Sequence, residues 1–209
     1  MNKLYVLGMG PGSTDYILPI TTRLIESCEV LVGGNRHLQG YLTGDKILIP
    51  IGRDLETAIE LAKGYAKNKN VAFLLSGDTG FYSMLNYIKT KFRGEELQVV
   101  PGISSLQYMA ASIGESWHDA FVGSGHGRNI DLLEVLSKYN KIFLLTDGKF
   151  SPREVARTII QNKYPDRRMF VGERLSYEDE KITMGTPEEI VKMGEFDMAV
   201  VVIKHEVGV

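Results

Sequence analysis

Several short stretches of this chain hold residue types that could bind a ligand. They are GMGPG (8–12), GGNRH (33–37), IGRD (51–54), SGDTGFYS (76–83) and PGISS (101–105). Each directly follows a short apolar run. Glycine and small residues allow a ligand to lie against the backbone, and in open parallel sheets ligands gather beyond the carboxyl ends of the strands. One carboxylate, Asp78, lies inside the glycine-bounded loop 76–83. So many special loops exceed what turn chemistry requires, so a small-molecule site is expected there. A further loop, SGHGR (124–128), sets His126 and Arg128 among two glycines.

The first loop invites a dinucleotide reading, and its details argue against one. The fingerprint is G-x-G-x-x-G opening a helix after a strand. Gly8, Gly10 and Gly12 give G-x-G-x-G, and Ser13 stands where the third glycine belongs. Pro11 has no N–H for a phosphate. The second strand should end in a ribose-binding acid, yet it ends in VLVGGNRH, with Glu29 at its start. A tight turn without a ligand role is the plainer reading of GMGPG taken alone. His37, His118, His126 and His205 show no metal-ligand spacing. No nucleophile elbow and no P-loop is present. The parts for hydride transfer, phosphoryl transfer and serine hydrolysis are missing.

Stepping from the loops to what must hold them, strand runs alternate with helical periods in the first half. The strands are expected at 3–8, 28–33, 46–50, 71–76 and 97–100. In 54–67, Leu55, Ile59, Ala62 and Ala66 form one apolar helical face. Short, solidly apolar strands between helices imply a mostly parallel sheet covered on both faces. Strands are also expected at 119–124, 141–146, 168–173, 180–185 and 197–203. The acidic turn inside GERLSYEDEKITMG implies antiparallel pairing, hence a mixed sheet in the second half. SSLQ, SPRE and TPEE carry capping-box spacing, and Gly114 and Gly194 are expected as left-handed helix ends. The fold class is therefore α/β in two domains, 1–114 and 115–209. Net charge is −2, so no basic field points to nucleic acid. The lone Cys28 builds no disulfide framework. No apolar run approaches the roughly 20 residues of a membrane helix, and the N-terminal run is too short for a signal peptide. A cytoplasmic protein is expected.

Read together and in order, YVLGMGPGSTDY, LVGGNRHL, LLSGDTGFYS, VVPGISSLQ, SGHGR and VGERLSYEDEKI resemble the tetrapyrrole (corrin/porphyrin) methyltransferases that use S-adenosyl-L-methionine. The resemblance spans about 3–203 and is strongest to the free-standing branch that methylates carbon 5 of a precorrin in cobalamin biosynthesis. It implies two α/β domains with the cofactor in the cleft between them. It assigns cofactor contacts to Gly77, Asp78, Phe81, Ser104 and Ser105, with further contacts at Thr146 and Leu175. Ser104 also suits a helix N-cap, and both roles can hold. GMGPG falls on the substrate side, so Gly10, Pro11 and Gly12 are expected beside the macrocycle. A precorrin carries a rim of carboxylates, which cations must meet. Arg36, His37, Arg53 and Arg128 are the candidates, and each alone could equally be a solvated surface charge. His126 is the candidate proton carrier if a proton must move. No metal site is expected. The resemblance further implies an anionic cobalt-precorrin substrate, a homodimer and a separate decarboxylating methyltransferase as functional partner. Other readings are a family member acting on another carbon or substrate, a Rossmann-type oxidoreductase, and a non-catalytic tetrapyrrole binder.

Overall fold

The structure is a computed structural model that describes residues 3–52, 54–94, 96–127, 129–164 and 166–206. The chain divides into two compact units, the first ending at Ser104 and the second starting at Ser105.

The first unit carries strands β1 (Leu4–Gly8), β2 (Val30–Gly33), β3 (Ile47–Pro50), β4 (Val71–Leu75) and β5 (Leu97–Val100). All pair in parallel, in the order β3-β2-β4-β1-β5. Helices α1 (Pro19–Glu26), α2 (Asn35–Leu38), α3 (Leu55–Ala66) and α4 (Leu85–Lys91) connect them. Successive strand residues point to opposite faces. Leu4, Val6, Val30, Val32, Val71 and Phe73 accordingly pack with Ala58, Ile59 and Ala62 of α3 and Ile88 of α4. Tyr5, Leu7, Leu31, Ala72 and Leu74 pack with Ile25 of α1 and Leu38 of α2. Both faces are thus covered, which is why these strands read as continuous apolar runs. Asp54 caps α3, accepting from the Thr57 backbone N–H at 3.0 Å. The central strands are fully buried, at about 1.5–3 kcal/mol per large aliphatic side chain. That packing fixes the spacing of the loops at their carboxyl ends.

The second unit carries β6 (Phe121–Ser124), β7 (Lys141–Leu145), β8 (Arg167–Glu173), β9 (Lys181–Gly185) and β10 (Ala199–His205). The order is β6-β7-β10-β8-β9, with only β6 and β7 parallel. This is the mixed sheet expected from the acidic turn, and β8 and β9 are its antiparallel pair. Helices α5 (Ser105–Ser112), α6 (Leu132–Lys138), α7 (Pro152–Gln161) and α8 (Pro187–Lys192) belong to this unit. The division falls at 104 rather than 114 because α5 packs on β7 and β10. Thr186 and Glu189 form the complete capping box of α8, and Ser151 caps α7. Gly114 ends α5 at φ +67°, with Glu115 N–H donating to Ala110 O and Gly114 N–H to Ala111 O. These are the two bonds of a Schellman motif. Gly194 does not repeat it. There Met193 leaves α8 in an extended conformation, and the chain needs no left-handed residue.

Candidate functional site

The strand order explains the first loop. β4, β1 and β5 are neighbours, so the loops 76–83, 8–12 and 101–105 emerge side by side. Three glycines let their backbones touch. A Cβ on Gly8 would lie 2.5 Å from Gly102 N, and one on Gly102 would lie 2.1 Å from Gly77 O. Gly10 and Gly77, both at positive φ, form a two-bond antiparallel bridge. Gly10 N–H donates to Gly77 O at 3.2 Å and Gly77 N–H to Gly10 O at 2.9 Å. Gly10 therefore has no N–H to spare for a pyrophosphate, which removes the physical basis of the dinucleotide reading. Pro11 is buried and Gly12 half-buried.

Asp78 sits at the centre of this arrangement. Its Oδ1 accepts from Gly80 N–H at 2.8 Å and its Oδ2 from Gly102 N–H at 3.0 Å. The carboxylate thus closes its own loop and staples it to the β5 loop. Thr79 is buried behind it, and its carbonyl accepts from the Ser83 hydroxyl. Phe81 stands edge-to-face with Tyr82, ring centroids 4.7 Å apart. Ser104, only 7% exposed, occupies the N-cap position of α5, with Ser105 as its first residue. A Cβ on Gly77 would reach within 3.5 Å of Ser104 Cα, so the missing side chain keeps the two loops in register. Gly77, Asp78 and Ser104 are brought together, and Ser105 follows directly.

Across β2 and β4, Arg36 and His37 converge on Ser76. Arg36 Nη2 donates to Ser76 Oγ at 2.6 Å, and His37 Nε2 lies 2.8 Å from the same oxygen. Burial, reinforced by the Arg36 charge, pushes the His37 imidazole from 6.5 down to about 4. Near neutral pH it carries no charge, so it is a hydrogen-bonding partner and not the cation the sequence suggested. Arg53 and Arg128 lie outside the described residues.

In the second unit, His126 and Thr146 line one cavity of about 590 Å³ together with Asp147, Ser151 and Arg153. The 124–127 turn is tightly held. His126 N–H donates to the buried Ser124 Oγ at 3.2 Å and Gly127 N–H to Asp147 Oδ2 at 2.9 Å. Asp147 Oδ1 also accepts from Lys149 and Phe150 N–H. The Phe150 and Gly127 bonds hold its carboxyl below the usual range. The Phe150 ring packs where a Cβ of Gly125 would stand. Thr146 Oγ1 donates to Ala199 O at 2.6 Å, so its hydroxyl is engaged within the sheet. Leu175 is buried against Gly172 and is not part of that cavity.

Three residues were not singled out from sequence. Ser76 had no signal beyond its place next to Gly77. Asp147 begins TDGKF, a turn signature with an Asx-type acceptor. Arg153 is a cation in the first turn of α7, contrary to helix-dipole preference; its Nε is buried without a hydrogen-bond partner. Among the described residues no group of three His, Cys, Asp or Glu side chains could hold a metal ion. No helix of the described residues is long and apolar enough to cross a membrane.

Comparison with known proteins places these loops in a family. The model of the tetrapyrrole (corrin/porphyrin) methylases matches residues 3–191. The cobalt-precorrin-7 C(5)-methyltransferase of Salmonella typhimurium is 31% identical over 203 residues, covering 97% of this chain and 99% of that protein. A probable cobalt-precorrin-7 C(5)-methyltransferase of Methanocaldococcus jannaschii is 30% identical over 207 residues, covering 96% of each chain. Among solved structures, the precorrin-6Y methylase of Archaeoglobus fulgidus superposes with a TM-score of 0.76 at 22% identity, covering 98% of this chain and 99% of that one. That last likeness speaks to the fold. The chain belongs to the tetrapyrrole (corrin/porphyrin) methylase family.

Proposed function

We propose that this chain is an S-adenosylmethionine-dependent methyltransferase acting at carbon 5 of a cobalt-precorrin in cobalamin biosynthesis. The observation that carries the reading is its likeness, over nearly its whole length, to C(5)-methyltransferases of a bacterium and an archaeon. The loops at the first sheet's carboxyl edge suit the donor. Gly77 and Gly80 leave backbone exposed to an approaching ligand, and Asp78, Ser104 and Ser105 offer polar groups for its amino-acid and ribose ends. Bound there, S-adenosylmethionine supplies an electrophilic methyl group whose departure needs no acid from the protein. The chain's own residues then have to position. Asp78 fixes the 76–83 loop against the 101–105 loop, Ser104 and Ser105 present hydroxyls beside it, and Phe81 offers an apolar wall. Holding two reactants in line can supply about 7–11 kcal/mol of barrier reduction, which accounts for the lack of a carboxylate or histidine pair in these loops.

On the substrate side, Gly10 and Pro11 back the loop and Gly12 is its more accessible member. Arg36 is the described arginine placed to meet a macrocycle carboxylate, and Arg53 and Arg128 carry the same role in this reading. Thr146 and Leu175 stay as cofactor contacts on the resemblance. Thr146 would act through its backbone, because its hydroxyl is taken. His126 is the proton carrier where one is needed. The resemblance also supports a homodimer, a cytoplasmic location and a separate decarboxylating methyltransferase as functional partner. Calorimetric titration with S-adenosylhomocysteine tests the cofactor half of this reading. Wild-type protein that binds neither that product nor a carboxylated tetrapyrrole would remove it.

A further inference from the structure

The geometry points to Ser76 as a positioning residue that, with His37, aims Arg36 at a peripheral carboxylate of the macrocycle. The inference rests on the methyltransferase reading and adds a residue to the substrate side of the site.

The direction of every hydrogen bond in this cluster is forced. A guanidinium only donates, so Ser76 Oγ must accept from Arg36 Nη2 at 2.6 Å. The single hydroxyl proton of Ser76 is then left for His37 Nε2 at 2.8 Å. That nitrogen must be unprotonated, with the ring proton on Nδ1. Arg36 Nε, 3.4 Å from the same nitrogen, also donates to it. Geometry therefore requires the neutral imidazole independently of its depressed pKa.

The sheet puts the three residues together. β2 and β4 are parallel neighbours, with Gly33 opposite Leu74. A Cβ on Gly33 would meet Leu74 at 3.1 Å and His37 Cβ at 3.8 Å. Glycine there lets the turn of α2 fold back over the strand ends, so that His37 reaches Ser76. Ser76 in turn precedes Gly77, whose backbone is bridged to Gly10, and Asp78, which is bonded to Gly102. The guanidinium is thus tied by one hydroxyl to the loop assigned to the methyl donor. An arginine on a four-residue helical turn would otherwise sample many rotamers. Held by Nε and Nη2, it presents a fixed planar edge, the geometry that bidentate carboxylate recognition demands. Ser76 and His37 act through Arg36 and do not themselves touch the substrate.

The test is a double-mutant cycle on the full chain, read as affinity for uroporphyrin I, a tetrapyrrole octacarboxylate, and separately for S-adenosylhomocysteine. Ser76→Ala should weaken uroporphyrin binding about tenfold, the size of one lost hydrogen bond to a charged group. S-adenosylhomocysteine affinity should change less than twofold. In an Arg36→Ala background the Ser76→Ala effect should vanish. His37→Gln, which keeps a neutral acceptor, should retain more affinity than His37→Leu. In turnover, Ser76→Ala should raise KM with kcat held. Unchanged uroporphyrin affinity in Ser76→Ala would overturn the proposal, as would an effect that persists without Arg36. So would wild-type protein that binds S-adenosylhomocysteine but not uroporphyrin. Wild-type protein that binds neither overturns the methyltransferase reading itself.

Discussion

Replacing Asp78 by asparagine separates two roles that a carboxylate in a cofactor loop can have. In the structure its two oxygens each accept one backbone N–H, from Gly80 at 2.8 Å and Gly102 at 3.0 Å. Asparagine has one oxygen. It can satisfy one of those N–H groups and must turn its NH₂ towards the other, setting donor against donor. The loss is one charge-assisted hydrogen bond, about 1.5–3 kcal/mol. For a chain of this size that lowers Tm by roughly 3–10 °C. The staple joins the 76–83 and 101–105 loops, so loosening it also costs cofactor affinity. About 2 kcal/mol of lost preorganisation weakens binding by a factor of ~30. Differential scanning calorimetry and titration with S-adenosylhomocysteine read the two effects on one sample. The staple predicts that both fall together. A large loss of affinity with Tm unchanged would show Asp78 to be a direct ligand and refute the staple. Unchanged affinity would remove Asp78 from the cofactor site.

Gly102→Ala should be far more damaging than its chemistry suggests, because the new Cβ meets Gly77 O at 2.1 Å, a backbone atom that no rotamer change relieves. A cost of about 3 kcal/mol or more is expected in urea unfolding, whereas Gly64→Ala, in open space within α3, should stabilise by about 0.5–1 kcal/mol. Equal effects of the two substitutions would contradict the glycine packing. His37, lowered from 6.5 to about 4, stabilises the fold fully above pH 6.5 and loses that contribution as the pH falls towards 4. The full shift corresponds to about 3 kcal/mol, reduced by the ring's partial exposure. Urea melts at pH 7 and pH 4.5 should therefore show a steeper decline for wild type than for His37→Gln, and parallel declines would argue against a neutral buried imidazole. His126→Ala should lower kcat with little change in S-adenosylhomocysteine affinity, and wild-type turnover would remove its catalytic role.

All ten strands were legible in the sequence, as was α3, because burial on both faces writes itself as uninterrupted apolar runs and the helical face as three- and four-residue spacing. The parallel and mixed characters of the two sheets were legible for related reasons, down to the β8–β9 pair. The capping boxes of α7 and α8 were local enough to be read directly. What escaped depends on strand order. Nothing local says that β1 lies between β4 and β5, and without that, Gly8, Gly77 and Gly102 read as turn residues instead of a packed junction. Asp78 likewise looked like a ligand because its second acceptor bond crosses to Gly102. Ser76, beside the glycine loop, gained meaning only when β2 and β4 proved to be neighbours. Gly194 misled because a glycine after a helix is compatible with a left-handed end without requiring one. The boundary at 104 was missed because α5 looks like the last helix of the first unit until its packing on β7 and β10 is known.

The most direct test of the account is methyl transfer itself. The purified protein, given cobalt-precorrin-7 and S-adenosylmethionine labelled with ¹³C in its methyl group, should yield a product with one labelled methyl. Its NMR signals should place that methyl on carbon 5. Label on a different carbon, or none transferred by protein that binds S-adenosylhomocysteine, would contradict it.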